Sequence, residues 1–283
     1  MVASSLADLA GKNFNPQSVE LIALDIDGTL LAPGVDHRAL PDERISKVIK
    51  RLMQSGVEVL LASGRMFPGT KHIADHLGIT RPLICQQGAS IHELNGELLH
   101  RFTIDQSIAR EIAQLALDEG WPYAWFDAER YLVDKLTEAS QYFADVSGID
   151  VETHPSPRDS GLIATGVDII SDRNSANGIY QRLAQRFGDK IELLDFMSVT
   201  AAHSRDANKG KALELVAGEL KITADNSVAI GDSVNDISML RWAGFGASPE
   251  HCDDYAREAT DSVLEGSGVA GVAALLETIA DGQ

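Results

Sequence analysis

Four short apolar runs constrain this chain more than any other feature: ELIALDI (20–26), VEVLLAS (57–63), the apolar start of RPLICQQG (81–88) and SVAIGD (227–232). Each is apolar nearly throughout rather than at alternate positions, and each gives way to Asp, Ser, Gln or Gly. A strand that reads this way has both faces buried, as strands of parallel sheets do. Parallel neighbours cannot be joined by tight turns, so helices must lie between them. One helical pattern opens at Pro41-Asp42, runs through Ile45, Val48, Ile49 and Leu52, and stops near Gly56. Others are expected over about 68–77, 208–220 and 235–241. The alternation predicts an α/β fold: a doubly wound parallel sheet with right-handed crossovers.

The texture changes between the third run and the fourth. IHELNGELLHRFTI (91–104) reads as two strands around Asn95-Gly96, a strong hairpin dipeptide. A helix is expected over 105–119, followed by the aromatic WPYAWFDAERYLV (121–133) and a segment holding Pro155 and Pro157. Strand-like GVDIIS (166–171), a helix over 174–186 and strand-like KIELLDF (190–196) complete the stretch. The expected organisation is an N-terminal extension (1–19), a core from 20–89 and 204–283, and an α+β unit inserted over 90–203.

Composition narrows the partners. Lys plus Arg number 24 against 42 acids, a formal charge of −18. That balance argues against nucleic acid or an anionic membrane surface, though not against a small anion received by local cations. No window approaches the ~18 apolar residues of a membrane span, and the first residues lack a secretory pattern. Cys85 and Cys252 have no metal-ligand spacing and read as unpaired thiols rather than a disulfide. A cytoplasmic location is expected.

In open parallel sheets, ligands gather at the carboxyl ends of the strands. Asp25 and Asp27 lie there after the first strand and Ser63 after the second. Lys209 opens a helix, and Asp232, Asn235 and Asp236 follow the last run. Like charges as close as Asp25 and Asp27 repel, and a D-x-D-G stretch alone reads more often as a surface turn. Carboxylates, a hydroxyl and an ammonium together are what phosphoryl transfer around a hard divalent cation requires.

LDIDGTLL, ASGR, NKGKAL and IGDSVNDISML, in that order, resemble the four motifs of the haloacid dehalogenase (HAD) phosphatase superfamily. An α/β insertion between the second and third resembles its Cof-type subgroup, whose relatives include sugar-phosphate and sucrose-phosphate phosphatases. The resemblance implies a Rossmann-like core under a cap, and Mg²⁺-dependent hydrolysis of a small phosphorylated metabolite, most plausibly a sugar phosphate. It implies Asp25 as nucleophile, forming an aspartyl-phosphate, and Asp27 as general acid and base. Asp25, Asp27 (through its carbonyl), Asp232 and Asp236 are implied around the metal, with Asp236 and Asn235 more removed. Ser63, Gly64, Arg65, Lys209 and Asn235 are implied against the phosphoryl group.

Other readings stand beside these. A phosphomutase or phosphotransferase would use the same site, and an inactive phosphate-binding module would use the same cleft. Ser63 and Asn235 read equally as helix caps, and Arg65 as a surface residue beside a turn. Trp121, Tyr123, Trp125, Phe126 and Tyr131 are expected to pack the insertion's core rather than line a sugar surface. His203 and Arg205, where the insertion returns, are placed where a substrate can reach them. Two departures from the family pattern are Gln87-Gly88, where Asn-Gly is usual, and GASPEHCDDYA (246–256), where Met-Gly-Asn is usual.

Overall fold

The computed structural model describes residues 14–36 and 38–283, so residues 1–13 of the expected N-terminal extension lie outside the described residues. Before the insertion come β1 (Leu21–Leu24), α1 (Glu43–Gln54), β2 (Glu58–Leu61), α2 (Phe67–Leu77) and β3 (Leu83–Cys85). The chain later returns with α6 (Lys209–Leu220), β12 (Ser227–Ile230), α7 (Ile237–Trp242), β13 (Phe245–Pro249), α8 (Asp254–Ala259), β14 (Ser262–Leu264) and α9 (Ala270–Gly282). Five strands form a parallel sheet in the order β14-β13-β12-β1-β2. An isolated parallel bridge between Ala62 and Ile84 sets β3 beside β2.

The strands are apolar throughout because the sheet has two covered faces. Along β1, Ile22 and Leu24 pack with Ile45, Ile49 and Leu52 of α1 and Leu276 of α9. Leu21 and Ala23 point the other way, to Leu213 and Val216 of α6 and Leu240 of α7. Register then decides what meets at the carboxyl edge. Leu24 is paired with both Ile230 and Leu61, so Asp25, Gly231 and Ala62 leave the sheet side by side.

The inserted segment builds a six-stranded sheet ordered β10-β11-β9-β6-β7-β8. Its strands are β6 (Tyr123–Phe126), β7 (Tyr131–Val133), β8 (Val151–Thr153), β9 (Gly166–Ile170), β10 (Glu192–Phe196) and β11 (Val199–His203). Helices α3 (Gln106–Glu119) and α5 (Ala176–Phe187) cover one face, burying Tyr123, Trp125, Val167 and Ile169. Ala124, Phe126, Tyr131 and Ile170 share the opposite face, where α4 (Glu138–Ser147) adds Phe143. The hairpin at Asn95-Gly96 forms as β4 (Ser90–His92) and β5 (Leu98–Arg101), with φ +92° at Gly96. It pairs with β3 rather than with the six-stranded sheet, and Ile91 packs in the core cluster. The hairpin placed in the insertion by its sequence is thus an outgrowth of the core's third strand.

Candidate active site

Asp25 continues β1 by donating its N–H to Ile230 O at 2.9 Å. The chain then turns at once: the N–H groups of Leu30 and Leu31 both donate to Ile26 O, and Gly28 sits at φ +92°. Only glycine fits there, because a Cβ would lie 2.2 Å from an Asp232 carboxylate oxygen, in a backbone region that L residues avoid. The turn separates the two carboxylates. Asp25 is 4% exposed and points inward, whereas the Asp27 side chain is half exposed.

Lys209, fully buried at the first turn of α6, donates to Asp25 Oδ1 and Asp236 Oδ1, both at 2.6 Å. Asn208 fixes that helix start by accepting the Lys211 N–H. The second Asp236 oxygen accepts the N–H groups of Asp232 and Ser233 at 2.9 and 3.0 Å. Both Asp236 oxygens accept hydrogen bonds, which tie Lys209 to the loop after β12. Asp232 accepts from Thr29 Oγ1 through Oδ1.

Asp25, Asp232 and Asp236 bring carboxylate oxygens within 4.8 Å of one another. Burial pushes the Asp25 carboxyl up to about 7, against the pull of Lys209 and with the help of Asp236 and Asp27. Burial also pushes Asp232 up to about 9, with Asp25 and Asp236 adding to it. Burial works against the Lys209 charge, but Asp236 and Asp25 outweigh it and hold the ammonium above its ordinary range. One cation does not offset three carboxylates. With Oδ2 of Asp232 bound by no side chain or backbone group among the described hydrogen bonds, the donor set fits a hard, oxygen-seeking divalent ion.

Ser63 is fully buried, its Oγ accepting the Arg65 N–H at 3.1 Å. Its hydroxyl thus makes the short-range turn bond of a loop residue. Arg65 is no surface residue: its guanidinium is buried and forks onto Asp27, Nε to Oδ2 at 2.8 Å and Nη2 to Oδ1 at 2.5 Å. Gln86 and Gln87 both take positive φ, +51° and +61°, a conformation rare outside glycine and asparagine. Gln87 Oε1 accepts the Asn235 amide at 2.6 Å, so this departure from the family pattern is part of the site wall.

A cavity of about 450 Å³ joins the two units. From the core it is lined by Asp25, Asp27, Gly64, Arg65, Asp232 and Asn235, with Gln86 and Gln87 beside them. Ser63 and Lys209 lie behind that wall. From the second unit come Phe126, Tyr131, Asp168 and His203, so the expected aromatic core divides. Tyr123 and Trp125 pack beneath the helices, Trp121 lies under the Arg182 guanidinium, and Phe126 and Tyr131 face the cavity. Arg205 instead donates to Gly188 O, away from the cavity.

Three residues were not found by sequence reasoning. His251 approaches the Gly28 carbonyl at 2.6 Å through Nε2. Asp253 accepts Ser233 Oγ, the Val234 N–H and, as cap of α8, the Ala256 N–H. Both lie in the departing 246–256 stretch, and an Asp before a short helical pattern was the available signal. Asp168 was marked only by being a charge in the middle of the strand GVDII, all of whose residues are buried.

Residues 22–276 match the haloacid dehalogenase-like hydrolase family. Phosphatase YwpJ of Bacillus subtilis is 26% identical, over 92% of this chain and 99% of that protein. The HMP-PP phosphatase of Enterobacter sp. is 28% identical, over 80% and 82%. The crystal structure of a haloacid dehalogenase-like hydrolase from Bacteroides thetaiotaomicron superposes with a TM-score of 0.77 at 21% identity, covering 92% and 99%.

Proposed function

The chain belongs to the haloacid dehalogenase-like hydrolases, and from that premise we propose a Mg²⁺-dependent phosphomonoesterase that carries the phosphoryl group transiently on Asp25. It is a phosphatase acting on small phosphorylated molecules. The observation that carries the finer reading is the Lys209 bridge between Asp25 and Asp236, which pulls against burial toward the charged Asp25 carboxylate and fixes it at the strand end.

Lys209 occupies Oδ1 of Asp25, leaving Oδ2 to attack phosphorus. As the Asp25 Oδ2–P bond forms, the ester P–O bond breaks and Asp27 gives its proton to the leaving oxygen. Asp27 then takes a proton from the incoming water, whose oxygen displaces Asp25 and releases phosphate. Arg65 forks onto both Asp27 oxygens in this structure and must release one of them for Asp27 to take up and deliver that proton; it lines the same cavity. When bound, Mg²⁺ supplies the positive charge that the dianionic phosphate and the carboxylates of Asp25 and Asp232 lack. The second unit closes over the strand ends and excludes bulk water from the intermediate.

A sugar phosphate is the substrate class that the sequence resemblance implies, and one relative is named as an HMP-PP phosphatase. Two free, buried thiols support a reducing, cytoplasmic setting, and no helix among the described residues is long and apolar enough to cross a membrane. The test is phosphate release from p-nitrophenyl phosphate and a metabolite panel, with Mg²⁺ and with chelator, and without any bisphosphate activator. Asp25→Asn is expected to lose about a thousandfold or more in kcat. Turnover that survives metal stripping, or an Asp25→Asn protein with near wild-type activity, contradicts the reading.

A further inference from the structure

The chain leaves β3 through three successive residues in the left-handed backbone region: Gln86 at φ +51°, Gln87 at +61° and Gly88 at +94°. Glycine suits the third, where a Cβ would lie 2.3 Å from the Asn208 backbone just before α6. The two glutamines gain no such fit, and a side chain makes that region unfavourable. Strain of this kind persists only where surrounding contacts over-determine it, and it gathers at functional sites.

The backbone of the turn is fastened to the core. The Gln86 N–H donates to Arg65 O at 2.9 Å, and the Gln87 N–H to Ser63 O at 3.1 Å. The two side chains then part. Gln87 stays with the core, its Oε1 accepting the Asn235 amide. Gln86, 1% exposed, crosses to the inserted unit. Its Nε2 donates to Asp127 O at 2.5 Å, in the turn between β6 and β7, and its Oε1 lies 3.3 Å from the Thr165 hydroxyl, just before β9. The Asp127 carbonyl can only accept, so the amide nitrogen must be the end that faces it. Phe126 and Gly166, next to these two contacts, are paired in register, so one amide grips two neighbouring central strands.

Both bonds exist only while the inserted unit lies against the core. They favour that position over any in which the unit has swung away about its connections at 102–105 and 204–208.

We propose that Gln86 is a positioning residue that clasps the inserted unit shut over Asp25, and that the left-handed turn is what aims it. The proposal rests on the phosphatase reading, in which a closed site holds the phosphoryl group and keeps bulk water out. Without the clasp a smaller share of the molecules is closed when substrate arrives, and apparent affinity falls by that share. Bound substrate still draws the unit shut, so KM suffers more than kcat.

The experiment measures closure and turnover separately, in wild type, Gln86→Gly and Thr165→Val. Gln86→Gly removes the amide and suits the left-handed backbone, so its melting temperature should stay close to that of wild type. Thr165→Val keeps the shape, removes one hydroxyl and approaches the clasp from the other unit, which covers the case of a poorly folding Gln86→Gly. Spin labels at Lys47→Cys and Asp118→Cys, both exposed, report the distance between the units, and the buried Cys85 and Cys252 stay unlabelled. Wild type should give one narrow distance distribution. Gln86→Gly should add a second population, and Thr165→Val a smaller one. With p-nitrophenyl phosphate and Mg²⁺, KM should rise about tenfold in Gln86→Gly and about threefold in Thr165→Val, the loss of two and of one ordinary hydrogen bonds, while kcat falls less than KM rises. Unchanged distances overturn the clasp, as does a second population with no change in KM. A KM that rises only together with a lowered melting temperature reduces Gln86 to a structural residue and overturns it too. If wild type turns over no ester, the phosphatase reading fails, and the label distances alone decide whether Gln86 holds the units together.

Discussion

Lys209 shows how strongly single residues are committed in this site. Breaking a buried ion pair typically costs about 3–5 kcal/mol, against a total stability of about 5–15 kcal/mol for a folded domain. Replacing Lys209 therefore tests folding before it tests chemistry, and the carboxylates are better read by titration. Burial raises Asp25 to about 7 and Asp232 to about 9, so without metal the folded protein holds protons there that the unfolded chain has already lost. That stabilisation is complete below pH ~4 and is lost as pH rises through the folded values. His203, pushed down to about 4 by burial, has the opposite sign, but only below the ordinary histidine value near 6.5. Between pH 7 and 9 the falling stability is carried by Asp25, Asp232 and the buried Asp168, and toward pH 9 by the Cys85 thiol, which burial pushes up to about 12. Urea unfolding in chelator should show stability falling by roughly 1 kcal/mol per pH unit across that window, and Mg²⁺ should flatten the slope. A slope of the opposite sign in chelator contradicts the charge balance described. At this scale the sequence was informative where function is packed into contiguous motifs. Asp25, Lys209, Asp232 and Asp236 meet in space because parallel register lines up the strand ends. The Arg65–Asp27 fork and the isolation of Asp168 depend on distant segments, which no local pattern reports.

At the scale of elements, α2 of the core and α4 of the inserted unit meet directly. The Met66 N–H before α2 donates to Ser147 Oγ at 3.1 Å, and a Cβ on Gly69 would lie 2.2 Å from the Val146 carbonyl. The close approach depends on that missing side chain. Gly69→Val should push the two helices apart at a cost of roughly 1–3 kcal/mol, a five- to 150-fold loss of affinity if closure is what the change opposes. KM for the preferred ester should rise accordingly, while kcat for p-nitrophenyl phosphate and the melting temperature change little. An unchanged KM would mean that this contact has no part in holding the substrate. The alternation of buried runs and helices made the core sheet legible, because buried parallel strands need no partner information to be recognised. The hairpin at Asn95-Gly96 was legible as a hairpin but not as a strand pair of β3, since pairing choice is set by packing. Helix α4 escaped notice because its apolar positions are few and are turned toward the cavity and the other unit.

The whole molecule carries a formal charge of −18 and must admit a phosphate dianion. Its long-range field opposes that encounter, and only the local cations and a bound metal favour it. Raising ionic strength from 0.01 to 0.15 M shortens the screening length from about 30 to about 8 Å. Inert salt should therefore raise kcat/KM for a dianionic ester by about twofold or more at subsaturating substrate, the reverse of what an electropositive funnel gives. A steady fall with salt would mean that local positive charge dominates the approach.

The central claim, that the phosphoryl group rests on Asp25 between two chemical steps, is open to direct observation. Asp27→Asn should still be phosphorylated by an aryl phosphate whose leaving group needs no proton, and should hydrolyse the adduct slowly. Acid-quenched protein, digested and read by mass spectrometry, should carry one phosphoryl group on the peptide containing Asp25, with Mg²⁺ present. The adduct should be absent in chelator and absent when Asp25 is also changed to Asn. Phosphoryl label on any other residue, or none at any time while phosphate is being released, would contradict the account.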